Sequence, residues 1–293
     1  MMEFHPHAVA YLDILGFSNF VKAAEEDPIK LKQLDMLFNE IIPREISSEG
    51  RNSAFPGNME LKCLSCSDSL VISAPISEKS PYPPLVAVSI KAIQITHALL
   101  DMGFLVRGAI AVGNAHCTQS NIFGTGFQQA VEGEKTAVDP QIMLNESAVQ
   151  ALDGLKGSLY GNLGIFAKNN SGQIILDSIY PEQNYLPTKN GDVEEYFKKY
   201  RQIIMDNLVH INPEARRKWL WFSGLFNANV KYFTSRFGFL KDKSMMISDD
   251  ELPDIVINYL NPPPADSTWL QERSPQPLCV KIKAPERSPK EES

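Results

Sequence analysis

The sequence lacks several features that would assign it at once to a class of protein. Its 293 residues contain no apolar run of the ~18 residues that a membrane span needs, and no long basic run typical of proteins that bind duplex nucleic acid. The first residues, MMEFHPHAVAY, lack the basic-then-apolar pattern of a secretory signal. Four cysteines are too few for a disulfide framework in a chain of this length. We therefore expect a cytoplasmic protein with neither membrane nor nucleic acid as a partner.

The composition is that of a globular protein with an acidic balance. Hydrophobic residues make up 43% of the chain, the net charge is −7 and the pI is about 5.3. That is ample for one large packed domain, or for one domain with appendages. If such a chain handles a triphosphate, it needs a local positive site, such as a divalent ion with a few Arg or Lys side chains.

The first half of the chain has the pattern of an α+β domain. Apolar runs and helical spacings predict, in order, a strand at 8–15, helices at 19–26 and 28–46, a hairpin formed by MELKCLSC and SLVISAP, a helix at about 85–102 and a strand at 103–113. This βαββαβ order is typical of a ferredoxin-like fold, an antiparallel sheet with helices on one face.

The pattern in the second half of the chain predicts further short helices and strands and, after them, long helices. A helix begins at about Gly126, and a short strand, a capped helix and another hairpin follow it. From about Gly191 two long helical stretches appear, and a Pro-rich, charged segment ends the chain. We predict a core at 1–185, a C-terminal helical hairpin packed on it at 186–245, and an extended tail at 246–293.

Two aspartates form the most informative pattern in the sequence. Asp13 lies inside an apolar strand, where a carboxylate is costly unless it is paired or binds a metal. Asp68 lies at the turn of the hairpin, and in a ferredoxin-like sheet the end of the first strand can meet that turn. Asp68 alone is also typical of a turn residue, and Asp13 alone of a helix-capping or a buried hydrogen-bonded aspartate. Together they predict an oxygen-rich site for divalent metal ions.

Four segments around this pair resemble the class III adenylate and guanylate cyclases. AYLDILGF resembles the first metal-binding strand of that family, LSCSDSLVI its second-aspartate hairpin, VRGAIAVGNAH its Arg-x-Gly strand, and NIFGTGFQQAVEGEK its Asn-x-Ala-x-Arg segment. The four stand in the family's order and cover about residues 8–145. The resemblance implies an enzyme that converts a nucleoside triphosphate to a 3′,5′-cyclic monophosphate and pyrophosphate.

The resemblance also implies roles for individual residues. Asp13, Asp68 and the Ile14 carbonyl would hold two divalent ions, Mn²⁺ or Mg²⁺. The backbone at Leu15, Gly16 and Phe17 would cradle phosphates, since a glycine turn before a helix offers N–H donors to anions. In this family the metal ligands come from one subunit and the base and ribose readers from the other, which implies a homodimer with two composite sites.

The sequence departs from the family at four of these positions. Leu64 replaces the base-reading Lys, Asn121 the base-reading Asp, and Gln128 the ribose-orienting Asn. Glu132 replaces the transition-state Arg and cannot stabilise negative charge. We consider Arg107 and Lys135 as substitutes for that cation, although each also fits an ordinary structural role, in a salt bridge or on a solvated helix face.

These departures resemble the bacterial cyclases of the Pycsar antiphage systems, which make cyclic pyrimidine nucleotides. An amide at Asn121 could pair with a pyrimidine edge, and Leu64 could fill the volume of a purine. The resemblance implies a UTP cyclase, with CTP left open, whose product activates a separate effector without direct binding. The alternatives are an adenylate or guanylate cyclase with an altered pocket, and a non-catalytic nucleotide-sensing module on a cyclase scaffold.

Overall fold

A computed structural model describes residues 3–46, 61–77, 80, 82–156, 158, 164–180, 191–209, 212–237 and 245–260. The helices, with a π-helical segment at Leu37–Ile41 between the second and third, are α1 (Phe17–Ala24), α2 (Pro28–Met36), α3 (Ile42–Ile46), α4 (Pro84–Leu100), α5 (Thr125–Thr136), α6 (Glu146–Asp153), α7 (Gly191–Leu208) and α8 (Pro213–Phe237). The strands are β1 (His5–Ile14), β2 (Lys62–Cys66), β3 (Ser69–Pro75), β4 (Val106–Cys117), β5 (Ile122–Phe123), β6 (Ile142–Leu144), β7 (Phe166–Lys168), β8 (Ile174–Leu176) and β9 (Asn258–Tyr259).

The strands form one mostly antiparallel sheet with β1 near its centre. The order is β2-β3-β1-β4-β6-β8-β7-β9, with β5 paired to the end of β4. The β4–β6 pairing is parallel, and the other pairings are antiparallel. The first four strands in that order have the ferredoxin-like arrangement, so the predicted α+β fold is confirmed.

Alternation along β1 directs its side chains to the two faces of the sheet. Ala8, Ala10, Leu12 and Ile14 are buried in the main core, which also contains residues of α4, α6, α7 and α8. The intervening residues face a smaller cluster formed by Val9, Val71, Ala111, Ala115 and Ala130, of which Ala130 comes from α5. Helix α5 therefore packs on the face opposite to α4, and it is not one of the helices of the predicted βαββαβ unit. Because α5 follows the βαββαβ unit, its position does not alter the order of the core strands.

Small residues bring α5 unusually close to β4. A Cβ atom added to Gly126 would lie 2.8 Å from the Gly113 carbonyl oxygen, and one added to Gly133 would lie 2.7 Å from the Ala109 Cβ. Both distances are shorter than side-chain contacts allow, so these positions need glycine as long as the helix stays where it is. The close approach fixes the depth at which side chains of α5 reach the sheet.

The C-terminal residues that the structure describes pack on the outer surface of α8 and reach the sheet. The side chain of Asn227 donates to the Ile247 carbonyl at 2.8 Å and accepts from its N–H at 2.9 Å. Farther along, the Tyr259 hydroxyl donates to the buried carboxylate of Asp177 at 2.6 Å. The remainder of the predicted tail, 261–293, lies outside the described residues. Among the described helices, none is long and apolar enough to cross a membrane.

Candidate active site

The end of β1 and the tip of the β2–β3 hairpin meet at one edge of the sheet. Asp13 is the second-last residue of β1, where it pairs with Ser69 of β3 and with Arg107 of β4. The N–H of Ile14 donates to the carbonyl of Asp68 at 2.9 Å, which ties the hairpin turn to the end of β1. The structure therefore brings Asp13 and Asp68 to the same place.

The hairpin turn itself is tight and unusual in its backbone conformation. Ser67 has a φ of 56°, the single left-handed conformation outside glycine among the residues that the structure describes. Residues other than glycine rarely have a positive φ, although two-residue hairpin turns require this conformation. The turn thereby places Asp68 beside the last residues of β1.

The carboxyl group of Asp13 is partly buried and has acidic neighbours. Its pKa is raised from the ordinary 3.8 to about 6, chiefly by burial and in smaller degree by the negative charges of Glu134 and Asp68. The positive charges of Arg107 and Lys218 act in the opposite direction. Because burial and the two acidic neighbours together outweigh the positive charges, the ionised carboxyl is costly unless a cation binds it.

Arg107 lies between two carboxylates. Its Nε and Nη2 atoms lie 2.6 Å and 2.5 Å from the same Oε1 atom of Glu134, and Nη2 lies 3.6 Å from the Asp13 Oδ2 atom. The contact with Glu134 is a charge-assisted hydrogen bond, whereas the distance to Asp13 is that of a looser ion pair. The guanidinium is thus anchored on α5 and reaches toward Asp13.

Two residues of this site were missed by sequence reasoning. Glu134 is 5% exposed and holds Arg107. Lys218, in the second turn of α8, is near enough for its charge to lower the pKa of Asp13, and it is paired with Glu214 at 3.2 Å. The spacing of Gly126, Ala130 and Gly133 could have indicated which face of α5 packs on the sheet. Glu134 follows Gly133 and lies on that side of the helix.

In the loop between β1 and α1, one of the three residues whose backbone was predicted to bind phosphate has no free N–H group. The Leu15 N–H donates to the Leu105 carbonyl at 2.9 Å, so it is already used. Gly16 has a φ of 79° and is the N-cap residue of α1, whose start has no side-chain cap. Phosphate contacts in this loop would therefore come from Gly16, Phe17 and the first turn of α1.

The remaining sequence-predicted residues do not gather around Asp13 within the subunit. Leu64 packs, partly buried, against the cluster that contains Val9 and Val71. Asn121 is exposed in the turn between β4 and β5, where its Nδ2 atom donates to Ser120 at 3.1 Å. Exposed on α5 are Gln128, Glu132 and Lys135.

The donor set is small for a metal site. Among the residues described, no group of three or more His, Cys, Asp or Glu side chains is arranged to hold a metal ion. Two carboxylates and a backbone carbonyl still suit Mg²⁺ or Mn²⁺, because Mg²⁺ is commonly bound by one or two carboxylates while water and substrate phosphates supply its other ligands. The acidic environment of Asp13 fits such a cation, although the third acid, Glu134, is held by Arg107.

Solved structures with a similar fold include adenylyl and guanylyl cyclase domains. No family model and no curated protein matches the chain. The adenylyl cyclase CyaB from P. aeruginosa aligns at 12% identity with a TM-score of 0.40, over 59% of this chain and 94% of that chain. The guanylyl cyclase Cya2 aligns at 10% identity and 0.40, over 59% and 91%. An adenylate/guanylate cyclase/hydrolase from Silicibacter pomeroyi aligns at 17% identity and 0.36, over 59% and 95%. Similarities of this size do not assign a function to the chain.

Proposed function

We propose that this protein is a nucleotide cyclase that converts a nucleoside triphosphate to its 3′,5′-cyclic monophosphate and pyrophosphate. The observation that carries the proposal is the meeting of Asp13 and Asp68 at one edge of a ferredoxin-like sheet, with Arg107 beside them. A paired carboxylate site with a neighbouring cation suits displacement at a phosphate, where charge must be neutralised on both the attacking and the leaving oxygen.

Asp13 and Asp68 would hold the divalent ions, two per site by the resemblance to class III cyclases, with the Ile14 carbonyl as a further ligand. When bound, Mn²⁺ or Mg²⁺ would promote ionisation of the ribose 3′-hydroxyl and neutralise the pyrophosphate. The Leu15 N–H, which belongs to the same peptide as this carbonyl, donates to the Leu105 carbonyl and so fixes the orientation of that peptide.

The chain's own residues would bind the triphosphate on the helix side of the aspartates. The N–H groups of Gly16, just before α1, and of Phe17, its first residue, can donate to phosphate oxygens, since no side chain caps this helix. Arg107 supplies positive charge beside Asp13, and it is the stronger candidate for the cation that Glu132 does not provide, since Lys135 is exposed on α5. Lys218 adds a second positive charge that acts on Asp13.

We propose further that the base and ribose readers come from a second copy of the chain. Arg107 is the second residue of β4 and Asn121 follows the end of that strand at Cys117, so at ~3.3 Å per residue the two are separated by roughly 30 Å along the strand. One nucleoside triphosphate does not span that distance. Leu64, Asn121 and Gln128 would serve the partner's aspartates, which makes the active unit a homodimer with two composite sites.

The substrate that we propose is UTP, with CTP as the other pyrimidine. Leu64 carries no donor for a purine, and it packs into an apolar cluster with Phe127 and Tyr11. The exposed amide of Asn121 can donate and accept, as pairing with a pyrimidine edge requires. By the same resemblance, we propose that the cyclic nucleotide is a cytoplasmic messenger of antiphage defence and acts on a separate effector.

One observation favours a second candidate, a non-catalytic nucleotide-sensing module on the same scaffold. Glu132 places an exposed negative charge on α5 where the cyclase family has an arginine. Such a module would bind a nucleotide with a divalent ion and release no pyrophosphate.

The test is incubation of the purified protein with each of ATP, GTP, CTP and UTP in Mn²⁺, followed by chromatographic separation of products. The proposal expects cyclic UMP or cyclic CMP. Cyclic AMP or cyclic GMP alone would exclude the pyrimidine assignment and retain the cyclase. Nucleotide binding without any product would favour the sensing module.

A further inference from the structure

The contact between Glu134 and Arg107 is more than a surface ion pair. Glu134 is 5% exposed, and a carboxylate buried to that degree needs a charged or hydrogen-bonding partner. Arg107 provides it with two nitrogen atoms on one oxygen, at 2.6 Å and 2.5 Å. Because Gly126 and Gly133 set α5 so close to β4, Glu134 can reach Arg107 without extending into solvent.

The Arg107 guanidinium also interacts with Asp13, but over a longer distance than with Glu134. Its Nη2 atom is 3.6 Å from the Asp13 carboxylate, beyond hydrogen-bond distance, and the side chain of Asp13 is 22% exposed. An incoming cation can therefore replace Arg107 as the partner of Asp13, while the shorter contact with Glu134 stays in place. In the absence of metal, the arginine is the resident counter-charge of Asp13.

We propose that Glu134 is a positioning residue that holds Arg107 at the edge of the metal site. When a divalent ion binds Asp13, the guanidinium gives up this partner and remains on Glu134, ready for the anionic substrate. Without Glu134, the guanidinium would settle on Asp13 and compete with the metal. This inference rests on the proposed function, since it assumes that Asp13 binds a divalent ion.

The two possible roles of the Glu134–Arg107 pair, a structural one and the positioning of Arg107, predict different effects of substitution on metal binding. Loss of a structural pair lowers stability and leaves the affinity for metal unchanged once the protein is folded. A counter-charge that competes with metal gives opposite effects for its two members. Removing Arg107 strengthens metal binding because Asp13 loses its competing cation, whereas removing the negative charge of Glu134 weakens it.

The experiment measures Mn²⁺ binding to the full chain without nucleotide, by electron paramagnetic resonance of free Mn²⁺ at pH 8. We expect about tenfold weaker binding in Glu134→Gln and about tenfold stronger binding in Arg107→Gln, which corresponds to about 1.4 kcal/mol each. In the double variant, the effect of Glu134→Gln should shrink, because much of it acts through Arg107. Glu194→Gln is the matched control, since Glu194 pairs with Lys198 at 2.6 Å on α7 and should leave Mn²⁺ affinity unchanged.

The outcomes separate this inference from the function on which it rests. If the unsubstituted protein and Asp13→Asn both fail to bind Mn²⁺, the proposed function and the inference fall together. If the unsubstituted protein binds Mn²⁺ and Arg107→Gln binds it no more tightly, the cyclase proposal stands and the role of Glu134 is overturned. A gain of affinity in Arg107→Gln cannot come from unfolding, so the test holds even if Glu134→Gln folds poorly.

Discussion

Replacing Asp13 with Asn should stabilise the metal-free protein, which is the reverse of what most buried substitutions do. Burial and the charges of Glu134 and Asp68 disfavour the ionised carboxyl and raise its pKa from 3.8 to about 6. A difference of this size corresponds to about 3 kcal/mol at ~1.4 kcal/mol per pKa unit. Because the side chain is 22% exposed, and so in contact with solvent, we expect a gain of about 1–2 kcal/mol after allowance for screening.

The pH dependence follows from the direction of this pKa change. Below about pH 4, Asp13 is protonated in both the folded and the unfolded chain, so Asn gains nothing. Between about pH 4 and pH 6, the folded protein keeps a proton that the unfolded chain has lost, and stability falls as the pH rises. Above pH 6 the full cost is present. The advantage of Asp13→Asn should therefore be small at pH 4 and complete at pH 8.

Urea unfolding at pH 4 and pH 8, followed by circular dichroism, measures this difference. Adding Mn²⁺ at pH 8 should reverse the order, because a ligand that binds the folded state stabilises it by mass action and Asp13→Asn should no longer bind the ion. If Asp13→Asn stabilised the protein equally at both pH values, or destabilised it at pH 8, the ionised carboxyl of Asp13 would not be disfavoured in the folded protein and the reasoning would be refuted.

Two further substitutions test the packing around the site and at the sheet edge. Gly126→Ala should cost about 1–3 kcal/mol in urea unfolding, because its Cβ would lie 2.8 Å from the Gly113 carbonyl oxygen and α5 would have to move; an unchanged midpoint would mean that the close approach is not required. Tyr259→Phe should lower the free energy of unfolding by about 1–3 kcal/mol, because the fully buried Asp177 carboxylate loses the hydrogen bond that the Tyr259 hydroxyl donates at 2.6 Å. An unchanged free energy of unfolding would show that the C-terminal residues leave the sheet in solution.

The order of the strands could be predicted from the sequence because each core element carries a local signal. The alternation from Ala8 to Ile14 defines β1, and the Ser67–Asp68 turn between two apolar runs defines the hairpin. Once these elements are in βαββαβ order, the sheet topology brings the end of β1 to the hairpin turn. The meeting of Asp13 and Asp68 therefore follows from local pattern and topology together.

Helix α5 and its contact with Arg107 could not be predicted in the same way. Its packing face consists of Gly126, Ala130 and Gly133, which carry little hydrophobic signal, so the helix gave no indication of which side of the sheet it covers. The pairing of Glu134 with Arg107 depends on that placement. The spacing of the small residues could indicate that Glu134 lies on the packed face of the helix, but it does not identify Arg107 as its partner.

The path of residues 245–260 also has no periodic signal. It depends on individual side chains that bond backbone groups, such as Asn227 with Ile247 and Asn170 with Val256. Each of these is a single long-range contact, and none leaves a repeat in the sequence. Pro and charge content predict an extended tail, but they do not indicate how its first residues pack on α8 and the sheet.

The most direct test of the central claim is the stoichiometry of products from one nucleotide. With UTP and Mn²⁺, the unsubstituted protein should release one pyrophosphate for each 3′,5′-cyclic UMP formed, and Asp13→Asn and Asp68→Asn should form neither product. Release of phosphate or pyrophosphate from every nucleotide without any cyclic product, or undiminished turnover in both aspartate variants, would contradict the account.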